Sequence, residues 1–393
     1  MATTETAATD APGPAPAATP AEELTVTGSS PRALMVRKLI DIAVLPAARI
    51  SANERSLAAD ILLQIIDKVD EGLRTEIARR VARVPEIPPA LLRMLLLDEP
   101  EIAKHLIQGA DHLPEALLIE AAKKGQTAHR LLIARRLNIT TAVADILIDF
   151  NEPEVSRLLM KREDFTLSPF AVDVLVSRST TDVDLQALLL RRRELEPAHG
   201  FMMFWWVDSE RRRRILTRFA LDRGIIQDAL DDLYPRVFRS SAPDPFVKEV
   251  LIMLDRRHRP RGVNGEAVSM EVVKRTIAAA RHYPMQEIVY AVGMIAGISR
   301  ELAARILRDA GGEPYAILCK ALGLSRDSFF AIVSGDDPEK EGSFTPQRAE
   351  QLLAIFDSIS RDFARAVLRY WDWDGNPRIA GITRLLGVGE DEA

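Results

Sequence analysis

The stretch NEPEVSRLLM, residues 151–160, repeats a pattern that already occurs as DEPEIAKHLI at residues 98–107. In both copies a proline opens a run whose apolar residues have the spacing of one face of an amphipathic helix. Asp98 and Asn151, the polar residues ahead of each run, are predicted helix N-caps. The return of a whole helix along the chain is typical of helical-repeat proteins.

The same helix recurs through much of the N-terminal half of the chain. A first apolar position returns at nearly even intervals, and a second one lies one helical turn after it; the first positions are Ile77, Ile102, Ala128, Val155 and Leu185. Each copy is followed by a second short helix. A helix of about ten residues is unstable alone in water, and stacking of neighbouring units supplies the missing core. We therefore predict an all-α, HEAT-like α-solenoid of two-helix repeats of about 26 residues each.

The sequence predicts two helical regions between two tails. Residues 1–30 are rich in Ala, Pro and Thr and contain no Lys or Arg, which is typical of a disordered tail. Residues 31–237 form the predicted array of HEAT-like repeats, and the turn-rich segment FRSSAPDPF at 238–246 ends it. A C-terminal all-helical domain is predicted for residues 247–380, followed by a frayed acidic tail at 381–393.

The C-terminal region contains a short repeat of its own. GISRELAARIL begins at Gly297 and GLSRDSFFAIV begins at Gly323, so the two copies are one repeat length apart. Glycine commonly ends a helix, and the serine two positions later is a typical N-cap for the next one. The two-helix pattern is therefore expected to resume here. Ser51 and Glu54 mark an earlier helix start, because Ser-x-x-Glu is the sequence of a capping box.

The composition argues against several classes of protein. A net charge of −5 gives no general excess of positive charge, so nucleic-acid binding would need a local basic surface. No segment has the ~20 consecutive apolar residues of a membrane-spanning helix, and the N-terminus lacks a secretory signal. The single cysteine, Cys319, rules out an intrachain disulfide. We expect Cys319 to be a small buried side chain. A single cysteine also indicates a protein of the reducing cytoplasm.

Motifs for catalysis, metals and cofactors are missing from the sequence. The six histidines are scattered and never have the spacing of a metal site. Phosphate-binding loops, dinucleotide-binding loops and nucleophile elbows are also missing. We therefore predict a protein without enzymatic activity, metal or cofactor.

These residues resemble a known bacterial family. The 26-residue helical units, the step RRRELEP at 191–197 and the segment AVGMIAGISRELAARILRDAGGEPYAILCKALGLSRDSFFAIV at 291–333 are similar to the domain-of-unknown-function family 2336. That family occurs mainly in α-proteobacteria. The resemblance implies a helical fold in the bacterial cytoplasm, and it implies no catalytic activity.

Bulky apolar side chains are concentrated in FMMFWW, which begins at Phe201. On a helix, Phe201, Phe204 and Trp205 share one face, and two others of the group lie on a neighbouring face. Two apolar faces predict packing against helices on both sides. One alternative is a partner-binding hot spot formed by Met202 and Trp206, because Trp and Met are favoured at interfaces. Base stacking on a tryptophan is another.

Arginines recur at one position of the repeat. Arg135, Arg162 and Arg192 each stand three positions after the second apolar position of their unit, so stacked repeats would align them along one edge. Such a ladder would receive an acidic peptide, a carboxylate-rich tail or a phosphate. In the alternative interpretation, these cations offset the helix dipole and cap free carbonyls at helix C-termini.

Four consecutive arginines, residues 211–214, follow the predicted helix start DSE. Successive residues on a helix point around its whole circumference, so the four side chains cannot form one patch. We expect some of them to pair with Asp208, Glu210 or a neighbouring repeat. Arg211 is the member of the run retained as a candidate binding residue.

Our leading hypothesis is a non-catalytic cytoplasmic scaffold or adaptor in bacterial regulation or signalling. It would bind a protein or acidic peptide partner on its helical-repeat surface through the candidate residues Arg135, Arg162, Arg192, Met202, Trp206 and Arg211. The alternative is a nucleic-acid or nucleotide binding protein that combines the arginine-lined edge with tryptophan stacking. Neither hypothesis involves a membrane or a metal.

Overall fold

The computed structural model describes residues 31–46, 49–220, 260, 262, 266–335, 344–372 and 380–386. Within these ranges the regular structure is helical, and no β-strand is present. This confirms the all-α class that the apolar spacing predicts. The predicted tail at 1–30 and the predicted break at 238–246 lie outside the described residues.

The chain divides into two compact units, Met1–Ile133 and Ala134–Ala393. The described helices of the first unit, with a 3₁₀ turn at Ile66–Lys68, are α1 (Pro31–Ala43), α2 (Ala52–Ile65), α3 (Glu71–Val81), α4 (Pro89–Leu97), α5 (Pro100–Gly109), α6 (Glu115–Lys124) and most of α7 (Thr127–Arg135). Helix α4 packs on α2 and α6, while α3 packs on α5. Helices two positions apart are therefore neighbours, as expected of stacked two-helix units.

The second unit begins with the same kind of packing. Its first described helices are α8 (Thr141–Asp149), α9 (Pro153–Met160), α10 (Pro169–Arg178), α11 (Val183–Leu189), α12 (Pro197–Met203) and α13 (Ser209–Ala220). Helix α10 packs on α8 and α12, and α9 packs on α11. The repeat predicted from the sequence is thus visible as an alternation of neighbours in this unit as well.

The later helices of the second unit fold back onto the earlier ones. They are α14 (Met270–His282), α15 (Gln286–Ala296), α16 (Arg300–Arg308), α17 (Glu313–Leu322), α18 (Arg326–Ser334), α19 (Pro346–Ser358), α20 (Arg361–Trp371) and α21 (Ala380–Leu385). Helix α20 packs on both α17 and α12, and α21 packs on α10. This departs from a simple file in which each repeat contacts only its neighbours. Helix α21 begins at Ala380, the predicted end of the C-terminal domain, and extends into the segment predicted as a frayed tail.

An aromatic cluster explains why α20 packs on α12. Trp371 at the end of α20 is 2% exposed, and its ring centroid lies 5.1 Å from that of Phe204. Its indole Nε1 donates to the carbonyl oxygen of Phe201 at 2.9 Å. Removing a buried tryptophan side chain costs about 3–5 kcal/mol, so this contact is a major link between residues far apart in the chain.

Several helix ends follow the sequence prediction. Ser51 and Glu54 form the reciprocal capping box ahead of α2. Gly297 and Gly323 end α15 and α17 with φ of 68° and 81°, the left-handed conformation that favours glycine. The serines that follow, Ser299 and the equivalent serine of the second copy, both accept a hydrogen bond from the next helix. The two copies of the C-terminal repeat therefore have the same helix caps.

The N-caps predicted at Asp98 and Asn151 are wrong by one residue. The structure places the N-caps of α5 and α9 at Glu99 and Glu152, and neither caps with its side chain. A proline occupies the first position of each helix, where its missing N–H and fixed φ are tolerated. Asn151 instead has φ of 54°, and it turns the chain between helices. The proline, rather than the polar residue, decides where these helices begin.

Candidate functional site on the arginine-lined edge

The ladder arginines of the second unit connect successive repeats. Arg162 donates to the carbonyl oxygen of Ala134 near the end of α7. Arg192 donates to the carbonyl oxygens of Arg162 and, at 3.1 Å, Phe165, both just after α9. Carbonyls at a helix end have no partner within their own helix. Arg162 caps a helix carbonyl, as in the second interpretation, but the capped helix belongs to the preceding repeat. Arg192 instead binds carbonyls of the loop after α9.

Arg218 continues the ladder, and the sequence analysis missed it. It donates to the carbonyl oxygens of Leu190 at 3.0 Å, Arg192 at 2.8 Å and Leu195 at 3.0 Å. Burial lowers the pKa of its guanidinium. The signal was available, because Arg218 stands three positions after Ile215 in the same pattern as the other rungs.

The ladder arginines differ in how much of the guanidinium remains available. Arg162 also pairs with Asp164, and Arg192 is 7% exposed and pairs with Glu194 at 2.6 Å. Arg135 is exposed and forms no ion pair within the described residues. The direct ligand-binding role predicted for Arg162 and Arg192 is therefore difficult to combine with their contacts, because both are held by the fold.

A cavity of 380 Å³ opens beside Arg192, between the ends of α9 and α11. We refer to it as the basic recess, defined by the apolar side chains of Met160, Phe165 and Leu188 and the basic side chains of Lys161, Arg191 and Arg193. Phe165 is nearly buried, and the guanidinium carbons of Arg162 and Arg192 lie 5.5 and 5.7 Å from its ring centroid. The ladder thus fixes one wall of the recess.

The cations of the basic recess are available to a ligand. Lys161, Arg191 and Arg193 are exposed, and they form no ion pair within the described residues. Glu163 is the exposed acid of the lining. The sequence analysis passed over these three cations because it followed a single repeat position. Arg191 and Arg193 flank a ladder arginine in the run 191–193, which was the visible signal.

Glu194 anchors the ladder wall of the basic recess. Its Oε1 accepts from Arg192 and, at 3.1 Å, from the backbone N–H of Leu167. Burial by itself raises the pKa of Glu194, but backbone hydrogen bonds and Arg192 outweigh it and lower the pKa. The carboxylate of Glu194 therefore stays ionised at neutral pH and is paired with Arg192. It does not neutralise the exposed cations of the basic recess.

The apolar stretch that begins at Phe201 belongs to the core. Phe201, Met202 and Phe204 are all 0% exposed. The ring centroid of Phe201 lies 5.2 Å from that of Tyr370, on α20. The partner hot spot considered for Met202 is not compatible with this burial, because a hot-spot side chain must reach the partner. These residues pack in the core, as the two apolar faces of the stretch predict.

The two tryptophans of this stretch are half-buried, and both contact other side chains of the fold. Trp206 donates from Nε1 to the hydroxyl of Ser179 at 3.0 Å. The guanidinium of Arg305 lies 4.2 Å from the centroid of the Trp205 ring, and the centroid of Trp371 lies 4.8 Å away. A base could stack on Trp205 only by displacing one of these neighbours.

The four arginines at 211–214 take separate paths, as their helical positions predict. Arg211 pairs with Asp208 and is half-buried, and Arg214 pairs with Glu210 at 2.6 Å. Arg213 is exposed and has no ion pair within the described residues. The structure brings none of them to the basic recess, so Arg211 does not join the candidate site.

Arg212 enters a buried ionic cluster that the sequence did not predict. We call Arg212, Asp309, Glu313 and Arg348 the Arg212 cluster. Arg212 contacts Asp309 at 2.7 Å and Glu313 at 2.9 Å, and Glu313 also pairs with Arg348. Glu313 is 0% exposed and begins α17, where the helix dipole favours a negative charge. The cluster joins α13 to α17 and α19.

Clusters of metal ligands and membrane-spanning helices are both absent from the described residues. Groups of three or more metal-binding side chains do not occur in them, and none of their helices is long and apolar enough to cross a membrane. Cys319 is buried, and burial raises the pKa of its thiol, so the thiolate form is disfavoured.

The described part of the chain is an all-helical protein with a basic recess in its second unit. Residues 102–369 match the family described as "Uncharacterised protein conserved in bacteria (DUF2336)". The match covers more than half of the chain, and the chain belongs to this family, which confirms the resemblance seen in its sequence. Neither a curated protein nor a solved structure matches the chain.

Proposed function

We propose that this protein is a non-catalytic adaptor of the bacterial cytoplasm that binds an acidic segment of a partner protein at the basic recess. The observation that carries the proposal is the group of exposed cations Lys161, Arg191 and Arg193 around an apolar lining, without ion pairs among the described residues. An exposed cation that has no ion pair among the described residues is available to an anion of another molecule.

The composition of the recess favours a carboxylate-bearing peptide. Arginine presents a planar fork of donors that matches the two oxygens of a carboxylate. Phe165, Met160 and Leu188 offer apolar contacts for the side chains between acidic residues. The rigid ladder behind Arg192 supports one wall, so little ordering of the protein is needed when the peptide binds.

The nucleic-acid or nucleotide alternative has less support. It requires a tryptophan face for base stacking beside the arginine-lined edge. Trp205 already contacts Arg305 and Trp371, and Trp205 is not part of the lining of the basic recess. The arginine-lined edge and the Trp205 ring therefore do not form one binding site.

Fluorescence anisotropy with a labelled oligoglutamate peptide tests the proposal. The peptide should bind saturably at low salt, and a neutral Gly-Ser peptide of the same length should not. The double variant Arg191→Ala/Arg193→Ala should weaken binding by about tenfold or more, because each charge-assisted hydrogen bond contributes about 1.5–3 kcal/mol. Higher salt should weaken the wild-type interaction, because the cations are exposed.

The matched control is Arg213→Ala, which removes an exposed arginine from another helix. This variant should bind the peptide as the wild type does. Equal binding by the double variant and the control would remove the recess from the proposal. A single-stranded oligonucleotide that binds more tightly than the peptide, and loses binding in the double variant, would favour the alternative.

A further inference from the structure

A second basic cleft lies on helix α16, and its lining shares no residue with the basic recess. The cleft has a volume of 540 Å³ and is lined by Trp205, Ala304, Asp309 and the arginines and glutamate of α16. We refer to it as the α16 cleft, with Arg300, Arg305 and Arg308 as its basic residues. It is independent of the proposed adaptor function.

The internal repeat shows what is special about this helix. Helix α16 and helix α18 follow the same glycine and serine caps in the two copies, so their positions correspond. The face that carries Arg300, Ala304 and Arg308 on α16 carries Arg326, Phe330 and Ser334 on α18. One copy thus presents two arginines with a small residue between them, and the other fills that space with an aromatic ring.

The first arginines of the two copies also differ in their ion pairs. Arg326 on α18 pairs with Asp357, with 3.0 Å between Nε and Oδ2. Arg300 and Arg308 on α16 are exposed and form no ion pair within the described residues. Residues four apart on a helix share a face, so these two cations flank Ala304 on one side of the cleft.

Arg305 supplies a third guanidinium, held in a fixed position. It lies over the Trp205 ring, 4.2 Å from its centroid. Burial lowers the pKa of Arg305 to about 10, so the group remains protonated at neutral pH. Asp309 in the lining stabilises the charge of Arg305 and also accepts from Arg212 and from the backbone N–H of Gly312. Its single negative charge is thus divided between two guanidinium groups.

Trp205 adds an unused hydrogen-bond donor beside the α16 cleft. Its indole Nε1 is shielded from solvent and has no acceptor within the described residues. Trp205 lines the cleft, so its indole N–H signal can report on a ligand bound there. An anion with several acceptor oxygens would balance the positive charge of the cleft's arginines.

We propose that the α16 cleft binds a phosphomonoester group through Arg300, Arg305 and Arg308, with Trp205 as its aromatic wall. A phosphate carries close to two negative charges at neutral pH and three acceptor oxygens, which suit several guanidinium groups. The group could belong to a phosphorylated side chain or to a nucleotide, and a titration with both compounds separates these sources.

The indole N–H signals of ¹⁵N-labelled full-length protein report on the cleft, and Trp205→Phe identifies the Trp205 signal. Inorganic phosphate, N-acetyl-phosphoserine amide and adenosine monophosphate are titrated at constant ionic strength. The Trp205 signal should shift saturably with each phosphomonoester. A dissociation constant about tenfold lower for phosphoserine amide than for the nucleotide assigns the site to phosphorylated side chains, and the reverse assigns it to nucleotides.

The variants come from the internal repeat itself. Arg308→Ser and Ala304→Phe introduce the residues of α18 at exposed or half-buried positions and should each weaken phosphoserine binding by about tenfold. Arg326→Ala, on the other copy, should leave it unchanged. An equal shift with sodium chloride, or unaltered binding by Arg308→Ser with a wild-type melting temperature, would overturn the proposal. Because these variants leave the basic recess intact, oligoglutamate binding should not change.

Discussion

The arginine ladder and the Arg212 cluster use the same side chain in two different settings. At the ladder, Arg218 donates to three backbone carbonyls, and the separations in sequence are 23 to 28 residues. In the cluster, Arg212 pairs with two carboxylates at separations of 97 and 101 residues, and Glu313 there is 0% exposed. One setting links neighbouring repeats, and the other links distant parts of the second unit.

The difference lies in what is left behind when the arginine is removed. Arg218 is half-buried, so water can reach its carbonyl acceptors when the side chain is removed, and the loss is limited to the exchange of one hydrogen bond for another. A buried carboxylate cannot do so. Without Arg212, Arg348 would be left as the arginine of the cluster for both Asp309 and Glu313. Arginines that look alike in the sequence are therefore expected to differ widely in their effects on stability.

The largest effect is expected from Arg212→Ala. Asp309 and Glu313 would lose their shared cation, and breaking a buried ion pair from one side costs about 3–5 kcal/mol. Urea unfolding followed by circular dichroism measures the change. Arg213→Ala, at the next position of the same helix and exposed, is the control and should stay within about 0.5 kcal/mol of wild type. Equal losses in both variants would contradict the assignment of the cluster as the buried link.

The Arg212 cluster should also make stability depend on pH. Burial by itself raises the pKa of Glu313, but hydrogen bonds from Ser209 and Arg348 outweigh it and hold the pKa below the ordinary value of 4.5. A carboxylate with a lowered folded-state pKa contributes its full stability above its unfolded-state pKa and loses it as the pH falls through the folded value.

The difference in unfolding free energy between wild type and Glu313→Gln should accordingly be constant from neutral pH down to the ordinary glutamate pKa. It should shrink at lower pH, where the wild-type carboxylate gains a proton. Unfolding titrations at several pH values measure this difference. A difference that grows on acidification would mean that the pKa of Glu313 is raised rather than lowered.

Arg218→Ala should have an intermediate effect. Three carbonyl groups lose their donor, but the site is partly open to water, so the expected cost is about 1–3 kcal/mol. The same unfolding measurement applies. A loss as large as that of Arg212→Ala would erase the distinction between the two settings.

The smallest effect on stability is expected at the basic recess. Arg191 and Arg193 are exposed and unpaired within the described residues, so replacing either by alanine should change the unfolding free energy by less than about 0.5 kcal/mol. A clear destabilisation would show that these arginines support the fold, as the ladder arginines do, and would weaken their assignment to a ligand.

The sequence was informative where the structure repeats. The spacing of apolar residues predicted the short helices, and the spacing of Arg162 and Arg192 predicted an arginine-lined edge, because equivalent positions of stacked repeats meet. The same spacing could have revealed Arg218. It could not show that the ladder guanidinium groups end on carbonyls while their neighbours Lys161 and Arg191 remain exposed, since this depends on loop geometry after each helix.

Contacts between segments far apart in the chain could not be predicted from the sequence. Arg212 meets Glu313, and Trp371 meets Phe201 at a separation of 170 residues, without any repeated pattern that would pair them. Helix α20 packs on α12 because their aromatic side chains fit together. The spacing of apolar residues does not predict which side chains are complementary in shape. The sequence left a partner hot spot at Met202 open as an alternative to core packing, and Met202 is buried in the structure.

A paired measurement on Arg218→Ala and Arg191→Ala tests the central claim most directly, that contacts within the fold separate supporting arginines from ligand-binding ones. Each variant is unfolded in urea and titrated with labelled oligoglutamate. Arg218→Ala should lose stability and keep wild-type peptide affinity. Arg191→Ala should keep stability and lose affinity. Variants that lose both properties together, or the reverse pairing of losses, would contradict the account.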